Sequence, residues 1–287
     1  MNDFRPIFIV GVGRSGTSLL QSMLNVHKDI SFPPETHFIR YYLIKKYNYD
    51  SVKNKLIEDK NLKKLNLDLV DLVNASNSLK DFYVSLLNSY VNRKNKHFAG
   101  DKDPKNVECL RVIKENFPYS LIIHIYRDPR AVIASRIKAK WSMSRPFWQQ
   151  LLAYKAQLTY GRDLGGRLFE NYLEIKYEDL LNQPERELSK ITSKLGLEFD
   201  NGMLEYYKKA DEVIVGEEKE WKQNLYRPIM NGNVDKWQDE LTTDQIKTIE
   251  VVLEKEMKAL GYQKLSNLPP LQNIRGTFSY KELISEN

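Results

Sequence analysis

The segment from Ile7 to Ser18 constrains the chain more than any other. Ile7-Phe8-Ile9-Val10 is a continuous apolar run of the kind a strand shows when it is buried on both faces. It ends in Gly11-Val12-Gly13-Arg14-Ser15-Gly16-Thr17-Ser18, and Thr17 to His27 then puts Leu19, Leu20, Met23 and Leu24 on one side of a helix. A strand that passes through a glycine loop straight into a helix aims loop N–H groups and the helix dipole at one point, where an anion can sit. Tight turning and close helix packing would also select such a loop, so the loop alone leaves both readings open. The pattern G-x-x-x-x-G-K-[ST] fits at Gly11, Gly16 and Ser18, but Thr17 stands where the lysine of a nucleotide kinase or ATPase belongs. The fixed cation is Arg14 instead, and Ser15, Thr17 and Ser18 offer hydroxyls that can donate to phosphate oxygens without a metal.

Two more strand-loop-helix units follow. Leu121 to Tyr126 reads as a strand, Arg127-Asp128-Pro129-Arg130 as its loop, and Ala131 to about Lys140 as a helix with Pro129 in its first turn. Tyr172 to Tyr177 is a third strand, followed by a helix that opens at Asn182-Gln183-Pro184 and stops at Gly196. Recurrence of the unit predicts an α/β fold, a P-loop-like single domain with a central parallel sheet flanked by helices. A last helix is expected from the capping box Thr242-Thr243-Asp244-Gln245 to Gly261, with Ile246, Ile249, Leu253, Met257 and Leu260 inward. The expected domain covers 1–287, with a helical insertion around 38–100 and an irregular arm over 262–287. Residues 145–160 read as an aromatic helix capped by Ser144; Trp148, Leu151, Leu152, Tyr154 and Leu158 either fill the core or wall an apolar pocket.

Arg127 and Arg130 bring two guanidiniums to a strand's carboxyl end, and Ser135 adds a hydroxyl in the next helix. Together with the loop at 11–18 they predict a ligand with separated phosphates. Composition agrees: 44 Lys+Arg against 38 Asp+Glu leave a net charge of +6, spread through the chain rather than massed in a block. That spread favours a small anionic ligand over nucleic acid. Cys109 is the single cysteine and His27, His37, His97 and His124 are far apart in sequence, so disulfide scaffolds and Cys/His zinc patterns are excluded. With neither a signal peptide pattern nor an apolar run of about 20 residues, a soluble cytoplasmic protein without a transmembrane segment is expected.

The loop at 11–18 resembles the 5′-phosphosulfate motif, and Arg127 to Ser135 the 3′-phosphate motif, of sulfotransferases that use 3′-phosphoadenosine-5′-phosphosulfate (PAPS). Pro34-Glu35-Thr36-His37-Phe38, Asp101-Lys102-Asp103-Pro104 and Ile175-Lys176-Tyr177-Glu178-Asp179-Leu180 agree with the same family. The likeness is greatest to the tyrosylprotein and heparan-type branch, which uses a glutamate base. It implies catalytic roles for Glu35 as general base, Lys102 near the sulfuryl group and Arg14 on the 5′-phosphate. It also implies nucleotide contacts from Gly13, Ser15, Gly16, Thr17, Ser18, Arg127, Ser135, Tyr177 and Lys236, and acceptor contacts from His37 and Trp148. No metal is implied, and the expected partners are PAPS and a hydroxyl-bearing acceptor, not nucleic acid. One departure stands out: Glu220 to Leu225 lacks the serine that the tyrosylprotein branch places before its last helix. A closing segment over 221–237 is a further expectation of the resemblance. The alternatives are a P-loop nucleotide kinase-like enzyme and a basic nucleic-acid-binding protein.

Overall fold

The computed structural model describes residues 4–139, 142–212, 223–229 and 234–265. Its centre is a sheet of five parallel strands: β1 (Ile7–Gly11), β2 (Ile30–Ser31), β3 (Phe98–Lys102), β4 (Leu121–Tyr126) and β5 (Tyr172–Lys176), in the order β2-β3-β1-β4-β5. All four pairings are parallel. β1 is buried throughout, and its side chains alternate between two apolar layers: Ile7 and Ile9 enter one, Phe8 and Val10 the other. This is why the run is apolar at every position rather than at every second one.

Helices cover both faces. The Ile7/Ile9 layer is completed by α1 (Thr17–Val26) and by residues 180–210. The opposite layer receives a π-helical turn at Ile39–Leu43, then α2 (Tyr49–Glu58), α3 (Lys60–Lys63), α4 (Leu69–Ala75), α5 (Leu79–Arg93) and α6 (Leu110–Asn116). A third cluster joins α7 (Pro129–Ile137) and α8 (Phe147–Leu168) to the last helices. After β5 come α9 (Tyr177–Asn182) and α10 (Pro184–Lys194), then α11 (Trp237–Glu240), α12 (Thr243–Val252) and α13 (Glu254–Ala259). Among the described residues no helix is long and apolar enough to cross a membrane.

The local signals act as their chemistry requires. Pro129 opens α7 behind an Asp128 cap that accepts the Arg130 N–H at 2.8 Å. Gly196 adopts φ +70° after α10, and the Leu197 N–H reaches back to the Thr192 carbonyl at 2.9 Å. The Thr242/Gln245 capping box is fully formed. Three expectations need correction. The last helix is two, broken where Leu253 leaves helical geometry at φ −107° and ψ 18°, although Ile246, Ile249, Leu253, Met257 and Leu260 are all buried. Ser144 does not cap α8: the cap is Pro146, and the buried Gln150 amide donates instead to the carbonyls of Ser142 (3.3 Å) and Arg145 (3.2 Å). Finally, Phe98–Lys102 is a strand at the heart of the sheet, so the helical stretch ends at Arg93. The tail from 266 onward lies outside the described residues.

Because β1 lies between β3 and β4, connections leave it in both directions, and this creates a crevice at the strands' carboxyl ends. The loop after β1, the Asp103 turn after β3, Arg127 after β4 and Tyr177 after β5 all open onto that edge.

Candidate active site

The glycine loop holds three left-handed residues: Gly11 (φ +151°), Arg14 (φ +79°) and Gly16 (φ +95°). Gly16 is the N-cap of α1, with no side chain capping the helix and no acidic residue in its first turn, so that helix end presents its N–H groups to the crevice. A Cβ on Gly16 would lie 2.3 Å from the Tyr177 ring, which fixes glycine there on steric grounds as well as by φ. The Ser15 hydroxyl is buried with no hydrogen-bond partner among the described residues.

Arg14 and Arg127 face each other across this loop. Arg14 Nε donates to Ser135 Oγ at 2.9 Å, joining the first phosphate motif directly to the second. The Arg127 guanidinium stacks over the Tyr177 ring, 4.4 Å from its centroid. Burial, and then the charge of Arg127, push the Arg14 guanidinium below its ordinary value. No carboxylate among the described residues pairs with Arg14. Two close guanidiniums, an orphaned buried hydroxyl and an open helix N-terminus together suit a polyanion with more than one phosphate.

The neighbouring corner, between β3 and residues 35–40, is built differently. Lys102 is wholly buried at the end of β3; its Nζ bonds to Glu35 Oε1 and lies 3.4 Å from Ser18 Oγ. Glu35 Oε2 is 3.9 Å from His37 Nε2, while His37 Nδ1 is 2.8 Å from Asp103 Oδ2, which also accepts from Arg40 Nε at 2.8 Å. His37 takes φ +54°, a strained conformation for a residue with a Cβ, and these contacts hold it there. Its partners His37 and Arg40 hold the buried Asp103 carboxyl down at about 2, against the opposing effect of burial. The adjacent Asp101 is pushed the other way, up to about 6, by burial, although Tyr83 and Thr36 hydroxyls donate to it at 2.6 and 2.9 Å. Glu35, His37 and Asp103 bring ligand atoms within 4.8 Å of one another, as a metal site would, but Lys102 and Arg40 already supply the positive charge there.

The structure thus gathers Arg14, Ser15, Gly16, Thr17, Ser18, Glu35, His37, Lys102, Arg127, Ser135 and Tyr177 at one edge, with Gly13 half-buried within the loop. Lys236 stands exposed before α11, and its ammonium makes no bond among the described residues. Trp148 is 36% exposed beside Phe147, whereas Leu151, Tyr154 and Leu158 are buried, so most of that stripe is core. His124 is also core: it bonds to Tyr172 Oη at 2.7 Å, and burial pushes it down to about 4. Arg130, three residues from Arg127, pairs with Asp128 and Glu250 and stacks on Trp237, so it does not face the crevice as a free cation. Residues 220–222 and 230–233 of the stretches singled out near the last helices lie outside the described residues. Sequence reading missed Arg40 and Tyr83 as groups that hold this corner, and it placed Thr36 and Asp103 in the matching segments without giving them a role. Their only signal was the density of charge around Asp101-Lys102-Asp103.

A sequence model described as the sulfotransferase family matches residues 6–201, more than half of the chain. The chain belongs to the sulfotransferase family. It is 25% identical over 269 residues to protein-tyrosine sulfotransferase A of Caenorhabditis elegans, covering 92% of this chain and 68% of that one. Among solved structures it is similar to the sulfotransferase domain of the Synechococcus PCC 7002 olefin synthase, with TM-score 0.65, 25% identity, and coverage of 86% of this chain and 94% of that one. The mouse sulfotransferase SULT7A1, solved in complex with PAP, shares the fold at TM-score 0.54 and 15% identity, with coverage of 90% and 86%. The sulfotransferase is therefore an enzyme on a P-loop-like sheet that carries no Walker lysine.

Proposed function

We propose that this enzyme moves a sulfuryl group from PAPS to an acceptor hydroxyl, with Glu35 as general base. The observation that carries the reading is the pair Arg14 and Arg127, joined through Ser135 and flanked by the Lys102–Glu35 pair at the same strand ends. The mouse protein of the same fold binds PAP, the product that PAPS leaves behind. In this reading Arg14, the loop N–H groups and the Ser15, Thr17 and Ser18 hydroxyls take the 5′-phosphate, and Arg127 and Ser135 take the 3′-phosphate. The acceptor oxygen forms a bond to sulfur as the bond from sulfur to the bridging oxygen breaks. Its proton passes to Glu35, and the electron pair leaves on the 5′-phosphate oxygen. Lys102, lying between Glu35 and Ser18, stabilises the charge developing there, and these fixed cations serve where a kinase uses magnesium. His37 and the open face of Trp148 lie on the acceptor side, with the helices between 38 and 93 as its wall.

The name of the nematode relative makes a tyrosyl phenol the first acceptor to try, beside small alcohols, sterol-like molecules and glycans. A labelled-PAPS transfer screen across these classes is the test. Transfer to one class, with no magnesium-dependent ATP turnover, supports the reading. ATP turnover without PAPS transfer would favour a kinase, and steeply salt-dependent DNA binding unaffected by PAPS would favour a nucleic-acid-binding protein.

A further inference from the structure

The peptide unit that joins Arg127 to Asp128 is gripped at both ends by side chains from distant parts of the chain. Its carbonyl oxygen accepts a bond from Tyr154 Oη at 2.8 Å. Its N–H donates to Glu178 Oε1 at 3.0 Å. The other oxygen of Glu178 accepts the Tyr262 hydroxyl at 2.8 Å. Tyr154 belongs to α8, Glu178 to α9, and Tyr262 follows α13; all three are buried. Burial raises the Glu178 carboxyl above its usual range, so a buried carboxylate is a costly way to satisfy one amide. Its position accounts for that cost. Tyr177, the residue before Glu178, carries the ring under the Arg127 guanidinium, so the start of α9 holds Arg127 through both side chain and main chain. Asp128 in turn caps α7, the helix that bears Ser135.

Turning this one amide plane would swing the Arg127 side chain and tilt the helix that presents Ser135. We propose that Tyr154, Glu178 and Tyr262 are positioning residues for the nucleotide's 3′-phosphate: they hold the Arg127–Asp128 peptide so that Arg127 and Ser135 form a preset grip. The proposal rests on the PAPS reading above. None of the three touches the nucleotide; each acts through Arg127.

Calorimetric titration of the full chain with adenosine 3′,5′-bisphosphate and with adenosine 5′-monophosphate tests it. The wild type is expected to prefer the bisphosphate. Tyr262→Phe and Tyr154→Phe each remove one hydroxyl, and each is expected to cut that preference by about five- to tenfold while monophosphate affinity stays within about twofold. In turnover, KM for PAPS rises and kcat stays near wild type. Glu178→Gln keeps an oxygen for the Asp128 N–H and is expected to retain most of the preference. Equal losses for both ligands, the mark of general loosening, would overturn the proposal, as would an unchanged preference in the Phe variants. Lack of preference in the wild type would instead defeat the PAPS reading, and the clamp with it. If Tyr262→Phe does not fold, Tyr154→Phe tests the same peptide from its other end.

Discussion

The carboxyl ends of β1 and β4 and the carboxyl end of β3 lie side by side, yet they handle charge in opposite ways. Around β1 and β4, Arg14 has no carboxylate partner among the described residues, and Arg127 leans on an aromatic ring and raises the cost of Arg14's charge. Around β3, the charges meet their opposites: Lys102 with Glu35, and Asp103 with Arg40, while His37 Nδ1 also lies 2.8 Å from Asp103 Oδ2. Under the proposed function the first corner takes the anion, whose charge offsets the mutual repulsion of Arg14 and Arg127. The second pairs Lys102 with Glu35 and Arg40 with Asp103 inside the fold, and under the same proposal Glu35 is held in place there as the base. Arg130 sharpens the contrast. It is three residues from Arg127, yet two buried carboxylates make it part of the framework.

The division of labour can be broken most directly at Glu35. Glu35→Gln keeps the shape of the second corner and removes its base, so kcat is expected to fall by about 10²- to 10⁴-fold while nucleotide affinity changes by less than about twofold. Rapid-quench turnover together with nucleotide titration checks both halves. Full activity in the variant would show that another group takes the proton and that the β3 corner is only structural. In the first corner, Arg127→Ala is expected to weaken PAPS binding by about 10- to 100-fold, the usual scale for a charge-assisted contact, with a smaller change for the analogue lacking the 3′-phosphate. Equal losses for the two ligands would remove Arg127 from the 3′-phosphate and blur the two corners into one.

How much of this was legible in the sequence follows from which forces set each part. β1 and β4 were readable because strands buried on both faces carry near-continuous apolar runs, and α7, α10 and α12 because Pro129, Pro184 and Thr242 mark their starts locally. The glycine-loop corner was readable because its geometry is local: a left-handed loop needs Gly11 and Gly16, and an arginine after a strand is visible in the sequence by itself. β3 was not readable. The sequence pattern carries a helical insertion to about residue 100, whereas Gly100, Asp101 and Lys102 form an inner strand where Phe32 packs against Gly100 and Thr36, Tyr83 and Glu35 satisfy the charges. Those partners lie up to about 70 residues away in sequence, and no pattern within a window reveals them. The break at Leu253 and the role of Gln150 at α8 were hidden for the same reason, since both depend on tertiary neighbours.

The smallest effect separates two carboxylates within the second corner. Asp101 and Asp103 are two residues apart and both buried, but Asp101 faces hydroxyls and Asp103 faces the Arg40 guanidinium and the His37 ring. Asp101, raised from 3.8 to about 6, holds its proton in the folded state where the unfolded chain has lost it. Its contribution to stability is therefore full below about pH 4 and is lost as pH rises through about 6. Asp103, lowered to about 2, works with the opposite sign: its contribution is present above its ordinary value of 3.8 and is lost as pH falls through about 2. Between pH 7 and 4 only Asp101 of the two titrates, with a swing on the order of 2 kcal/mol. Glu178, also raised by burial, adds to the same slope, and His124, lowered to about 4, opposes it. The difference between wild type and Asp101→Asn removes both background contributions. Urea unfolding across that range should show the wild type gaining stability relative to the variant as pH falls. The slope is the right readout, because asparagine brings a donor to the Oδ1 position, where Asp101 has no hydrogen-bond partner among the described residues, and so shifts absolute stability on its own account. Identical slopes would mean that Asp101 stays ionised in the folded chain. The two buried carboxylates of the β3 corner would then not differ in the sign of their pH dependence, and the contrast between them would fail.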